Sequence, residues 1–173
     1  MADNPISKME AAQRHLDMAI YLTFLDKDPL PIHTIAMAAL GVLQDLADKK
    51  GVLSQLEDMI RPEKLECFRS KVRQKSNFLK HADRDPNSFI EPLTGFSNDA
   101  VILNCIEYFD VLGGELTPYM TQYRWWFCAM YPHLMLEGRL RTFMETLKFD
   151  QPGDRSAVGE VALESSRRDG GSL

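Results

Sequence analysis

Residues Ser7-Lys8-Met9-Glu10-Ala11-Ala12-Gln13-Arg14-His15-Leu16-Asp17-Met18-Ala19-Ile20-Tyr21-Leu22-Thr23 decide the fold class. Met9, Ala12, Leu16, Ala19 and Thr23 recur at steps of three and four, and Ile20 and Leu22 widen the stripe. That spacing places apolar side chains along one side of an α-helix, not alternately on two faces of a strand. Ser7 with Glu10 three positions later reads as a capping box at the helix start. The helix is expected to stop near Asp26, because neither Pro29 nor Pro31 can continue it.

The same period recurs on the C-terminal side. A second helix is expected over about residues 32–49, with Ile35, Ala38, Ala39, Val42 and Leu46 as its buried stripe. Lys49 and Lys50 suit its negative end, and Gly51 its stop. Residues 52–60 allow a short helix. A third long helix is expected over about residues 62–82, carried by Leu65, Phe68, Val72, Leu79 and Ala82. Ser97 is read as the cap of a fourth, which Gly113-Gly114 ends. Thr117-Pro118 opens a fifth, running to about residue 131, with proline at the first helical position. A sixth follows over residues 133–149. From residue 150 to 173 the period fails amid Gly, Ser, Asp and Arg, so a disordered tail is expected, with at most a helical fragment at residues 159–166. The expected fold is therefore an all-α antiparallel bundle of five or six helices. It comprises a bundle domain over residues 1–149 and a disordered C-terminal tail over 150–173.

The chain has 173 residues, of which 45% are hydrophobic and 26% charged, values that exclude collagen-like or wholly disordered chains. A chain of this length buries roughly 70% of its unfolded surface, so it needs no disulfide or metal to hold a core. The longest unbroken apolar runs, at residues 35–43 and 125–131, fall short of the roughly 18 residues of a membrane span. Met1-Ala2-Asp3-Asn4-Pro5 carries neither a basic patch nor an apolar stretch, so no secretory signal and a cytoplasmic setting are expected. Cys67, Cys105 and Cys128 follow no metal-ligand spacing and read as reduced core residues.

Net charge is −5, which gives no global attraction to nucleic acid. Its distribution is uneven. Residues 61–84 hold eight basic residues (Arg61, Lys64, Arg69, Lys71, Arg73, Lys75, Lys80, Arg84) against Glu63, Glu66 and Asp83, so this segment is +5 and the remainder −10. It reads either as a solvated helix face or as a local anion-binding surface. On a helix, Arg69, Arg73, Asn77 and Lys80 share one side, with His81 at its edge. Lys80 and His81 could equally satisfy the last carbonyls of that helix, while Asp83 and Asp85 shape the turn before Pro86. No Gly-rich phosphate loop, Gly-x-Ser-x-Gly or His-Glu-x-x-His is present, and the absence of Glu-x-x-His argues against a carboxylate-bridged di-iron bundle.

The run Asn77-Phe78-Leu79-Lys80-His81-Ala82-Asp83-Arg84-Asp85-Pro86, together with residues 16–20 and 32–36, resembles a family of bacterial all-α proteins without an established function, over roughly residues 10–130. Residues 77–81 also resemble the end of the signature helix of HEPN domains. That likeness implies a metal-independent ribonuclease whose dimer brings its Arg and His residues together. The family's polar position falls on Asn77 and its His on His81; Ser76 stands where the family has Arg, with Arg73 one turn earlier. The resemblance thus makes His81, Asn77 and Arg73 the candidate catalytic set.

His33, at the start of the second helix, reads as a buried histidine bonded to a neighbouring carbonyl, or as a partner of the cluster at residues 80–85. The binding candidates are therefore His33, Lys80, Asp83, Asp85 and Arg69. His33, His81, Asp83 and Asp85 are metal-ligating types, but their spacing supports no metal site, and no metal or cofactor is expected. His15 and His133 have no recognisable partner. Tyr119, Tyr123 and Trp126 share one helix face, which suits a core or a dimer interface better than a base-stacking platform. The expected function is a cytoplasmic helical interaction module, a homodimer with a basic Arg73/Lys80/His81 face for RNA or another anionic partner, with no membrane partner. The alternative is a HEPN-like ribonuclease or its catalytically degenerate relative.

Overall fold

A computed structural model describes residues 5–54, 56, 59–66, 70, 87, 89, 93, 95–147 and 154–171. They form an all-α bundle. Its helices are α1 (Lys8–Phe24), α2 (Pro29–Lys50), α3 (Gly95–Val111), α4 (Pro118–Met130), α5 (Arg139–Leu147) and α6 (Asp154–Arg168), with a 3-10 turn at Pro132–Leu134. Residues 62–66 and 70 are also helical. Among the described residues the one β pairing is an isolated antiparallel bridge between Ile60 and Met135.

The caps explain the boundaries. Ser7 Oγ accepts from the Glu10 amide at 3.1 Å and starts α1. The reciprocal half of the box is not made, because Glu10 turns to Arg14 at 2.6 Å. Asp26, with φ 50°, turns the chain. Asp28 caps α2 through the Leu30 amide at 2.9 Å, so Pro29 and Pro31 lie inside its first turn, where proline costs no hydrogen bond. This helix therefore begins before the expected residue 32. Gly51, at φ 67°, ends it in the left-handed conformation. Thr117 caps α4 by accepting from the Met120 amide at 3.3 Å. The sixth expected helix starts late, since residues 135 and 136 are drawn into the pairing with residues 59 and 60.

The middle of the bundle belongs to α3. It packs against α1, α2 and α4. Ser97 through Glu107 and Phe109 are buried. Ser97 lies inside this helix and not at its cap. A helix covered on all sides has no amphipathic stripe. Around it lie Leu16, Ile20 and Phe24 of α1, Leu40 and Leu43 of α2, and Tyr123, Trp126 and Phe127 of α4. Tyr119, Tyr123 and Trp126 are thus core residues. By length and composition α2 could cross a membrane. Thr34 and Gln44 bound the apolar run 35–43 without charging the helix, so counting unbroken runs understated it. One face of it, Ile32, Ala36, Ala39, Leu40, Leu43 and Ala47, is buried in the bundle.

The expectation of a disordered tail is corrected over Asp154–Arg168. That segment is a helix packed on α1 and α4. Ala162 and Leu163 join the core, and Gly159 lies where an added Cβ would stand 3.0 Å from the Phe24 carbonyl oxygen. A small residue at this position lets the two backbones approach. Cys105 and Cys128 are buried free thiols, burial raising both and taking Cys128 to about 11. Cys67 lies outside the described residues.

Candidate functional site

Of the sequence-nominated residues, His33 alone is described; Arg69, Arg73, Asn77, Lys80, His81, Asp83 and Asp85 lie outside the described residues. His33 is fully buried. Its Nδ1 lies 2.9 Å from Asn98 Oδ1, while Asn98 Nδ2 donates to the Pro29 carbonyl at 2.7 Å. Because the Asn98 oxygen can only accept, His33 Nδ1 carries the proton. The expected carbonyl partner is replaced by a carboxamide on α3, which ties the start of α2 to the central helix.

The polar residues of α3 are each matched by a distant side chain. Asp99 is fully buried. Arg155 of α6 binds it through both terminal nitrogens, at 2.5 and 2.6 Å. Tyr123 and Tyr131 hydroxyls donate to the same carboxylate at 2.9 and 2.5 Å. The Arg155 guanidinium also lies 4.7 Å over the Trp126 ring. Burial opposes the charge on Arg155, but bonding and attraction to Asp99 outweigh it and raise its pKa. Burial, then the charge of Asp99, raises both phenols. Two phenols that keep their protons and a guanidinium that keeps its charge are suited to holding a carboxylate, not to exchanging protons near neutrality. Two turns further along α3, Arg124 joins buried Glu107 at 2.9 Å and Asp110 at 2.6 Å. These ions serve the core.

A cleft of about 180 Å³ opens beside Arg155, lined also by Asp26, Lys27, Gly95 and Asn98. The Arg155 terminal nitrogens and the Asn98 side chain are already bound within the protein. Among the described residues no group of three or more His, Cys, Asp or Glu is placed to hold a metal ion.

The arrangement left open lies at the surface. Arg61 N donates to Leu134 O and Leu136 N to Met59 O, both at 2.9 Å, so residues 59–61 are zipped to 134–136. This brings the head of the basic segment against His133 and the first turn of α5. Burial, then the charges of Arg61, Lys64 and Arg141, lower the pKa of His133. Arg61 Nε is buried without a hydrogen bond, its ion pair with Glu63 being 3.4 Å long. Lys64 has no acidic partner among the described residues. Sequence reasoning had the charges of Arg61 and Lys64 but no partner for His133, and no local pattern announces a pairing across 72 positions.

Comparison with protein-family models, with curated proteins and with solved structures finds no match to this chain.

Proposed function

We propose that the chain is a cytoplasmic helical interaction module, acting as a homodimer, that binds an anionic partner through a basic surface headed by Arg61 and Lys64. The observation that carries this reading is the corner where those residues meet His133 and Arg141, with Arg61 Nε buried and without a hydrogen bond. The acidic neighbour of Arg61, Glu63, stands 3.4 Å away and is itself 61% exposed, so an incoming anion would meet a weakly paired guanidinium. Two of the core carboxylates, Asp99 and Glu107, are held by Arg155 and Arg124. In the sequence the basic row continues through Arg69, Arg73, Lys80 and His81.

The test is binding of a short fluorescent single-stranded RNA at rising salt. Three phosphate contacts predict a roughly 20-fold loss of affinity for a fourfold rise in salt, through counterion release. The Arg61→Ala/Lys64→Ala variant should bind more weakly with its helical content intact. Salt-insensitive binding, or none, refutes the reading. Cleavage of the RNA in the presence of chelator, lost in His81→Ala, would replace it with the HEPN-like ribonuclease.

A further inference from the structure

The corner at Arg61 is compact, and its composition points to the charge its ligand carries. Pro62 opens the helical turn 62–66, and the Lys64 amide donates to the Arg61 carbonyl at 2.8 Å, which fixes Lys64 one short turn from Arg61. His133 sits in the 3-10 turn that the Met135 amide closes on Pro132 O at 3.1 Å. Arg141 lies in the first turn of α5. Three chain segments, tied by that backbone pairing and by the packing of α5 on the 3-10 turn, thus set Arg61, Lys64 and Arg141 where their charges act on His133.

The acids there are Glu63, Glu137 and Glu145. Their side chains are 61%, 85% and 46% exposed, against 22% and 19% for Arg61 and Arg141. These two guanidinium groups lie deeper than the acids that accompany them. Arg141 Nε bonds Glu145 at 2.8 Å and its Nη1 reaches Glu137 at only 3.4 Å. The Tyr131 ring flanks the imidazole edge-on at 6.3 Å.

We propose that Arg61, Lys64, His133 and Arg141 bind the phosphate group of a phosphomonoester. The proposal rests on the anion-binding reading and narrows it. A phosphomonoester dianion offers three acceptor oxygens and close to two negative charges in a small volume. Two guanidinium groups, an ammonium and an imidazole converging on one corner match that density better than they match a carboxylate, which carries one charge. His133 couples the site to pH. Without ligand, burial and then the neighbouring cations disfavour its protonation; the bound dianion offsets the field of those cations, and the imidazole takes up a proton from solvent. The charged groups that face it are Arg61, Lys64 and Arg141, with Glu63, Glu137 and Glu145 paired to the two guanidinium groups.

The experiment is an NMR titration of the His133 ring with and without phenyl phosphate, on the full chain at fixed ionic strength. An upward shift of about one pKa unit is expected on saturation, with His15 unmoved. Arg61→Ala/Lys64→Ala should weaken phenyl phosphate at least tenfold while its amide spectrum stays dispersed. An equal shift with sodium chloride alone overturns the proposal, since the effect is then screening. Salt-dependent RNA binding that leaves His133 unmoved by phenyl phosphate overturns the phosphomonoester site and leaves the broader reading standing. Failure of both ligands to bind removes both.

Discussion

Replacing Arg155 by Met should cost about 3–5 kcal/mol, because it leaves the Asp99 carboxylate buried with its cation removed. Asp99 is fully buried, and Arg155 supplies two of its four hydrogen bonds. Tyr123 and Tyr131 would remain as donors, but neutral phenols do not balance a charge. The Trp126 face would lose its guanidinium as well. Asp99→Asn should be milder, about 2 kcal/mol, since it leaves a neutral acceptor and a guanidinium that is 26% exposed and can hydrate. The two single changes should therefore not add. The double variant should fall short of their sum by at least about 1.5 kcal/mol, as expected for side chains in direct contact. Urea unfolding followed by circular dichroism measures all four proteins. In a chain of this size a loss of 3–5 kcal/mol lowers the melting temperature by roughly 10 °C. An Arg155→Met protein within 1 kcal/mol of wild type would mean that α6 is not docked through Asp99.

Three further outcomes follow from particular contacts. Burial raises Asp17 to about 6, partly offset by the Thr117 hydroxyl donated to it at 2.5 Å; an unfolded aspartate titrates near 3.9. The folded state thus binds this proton more tightly, so the stability Asp17 contributes is full below about pH 4 and falls as pH rises to about 6, by up to about 3 kcal/mol. Asp17→Asn, which keeps the acceptor for Thr117, should match wild type at pH 4 and exceed it at pH 8; equal stabilities at both pH values refute this. Gly159→Ala would gain about 1 kcal/mol in a free helix, but against the Phe24 backbone it should lower stability, by about 1 kcal/mol net, through overpacking. A stabilised variant would show α6 free. Trp125 is 53% exposed on α4 while its neighbour Trp126 is buried; light scattering should report a dimer at micromolar concentration that Trp125→Ala weakens, and a monomer would remove the dimer from the account.

The helices whose ends are set by local chemistry were legible in the sequence. Ser7, Thr117-Pro118 and Lys49-Lys50-Gly51 each act within a few residues of themselves, and the starts of α1 and α4 and the end of α2 fall where those signals place them. The late start of α5 was not legible, because its cause is a pairing with residues 59 and 60. For α6 the reason is different. Its docking depends on small residues and on one ion pair spanning 56 positions, so its composition reads as that of a solvated tail. The polar residues of α3 obscured its central place for the same reason: Asn98, Asp99 and Glu107 find His33, Arg155 and Arg124 only in three dimensions. At the candidate site, charge counting marked the head of the basic segment. It could not supply His133 or Arg141, which arrive from other elements.

The measurement that tests the account most directly is amide chemical-shift mapping with a short single-stranded RNA as the anionic ligand. The account predicts that shifts concentrate at residues 59–66, 131–137 and 139–145 and fade as salt is raised, while Asp99, Tyr123 and their neighbours in the core stay in place. Shifts confined to the cleft at Lys27 and Arg155, or no shifts at all, would contradict it.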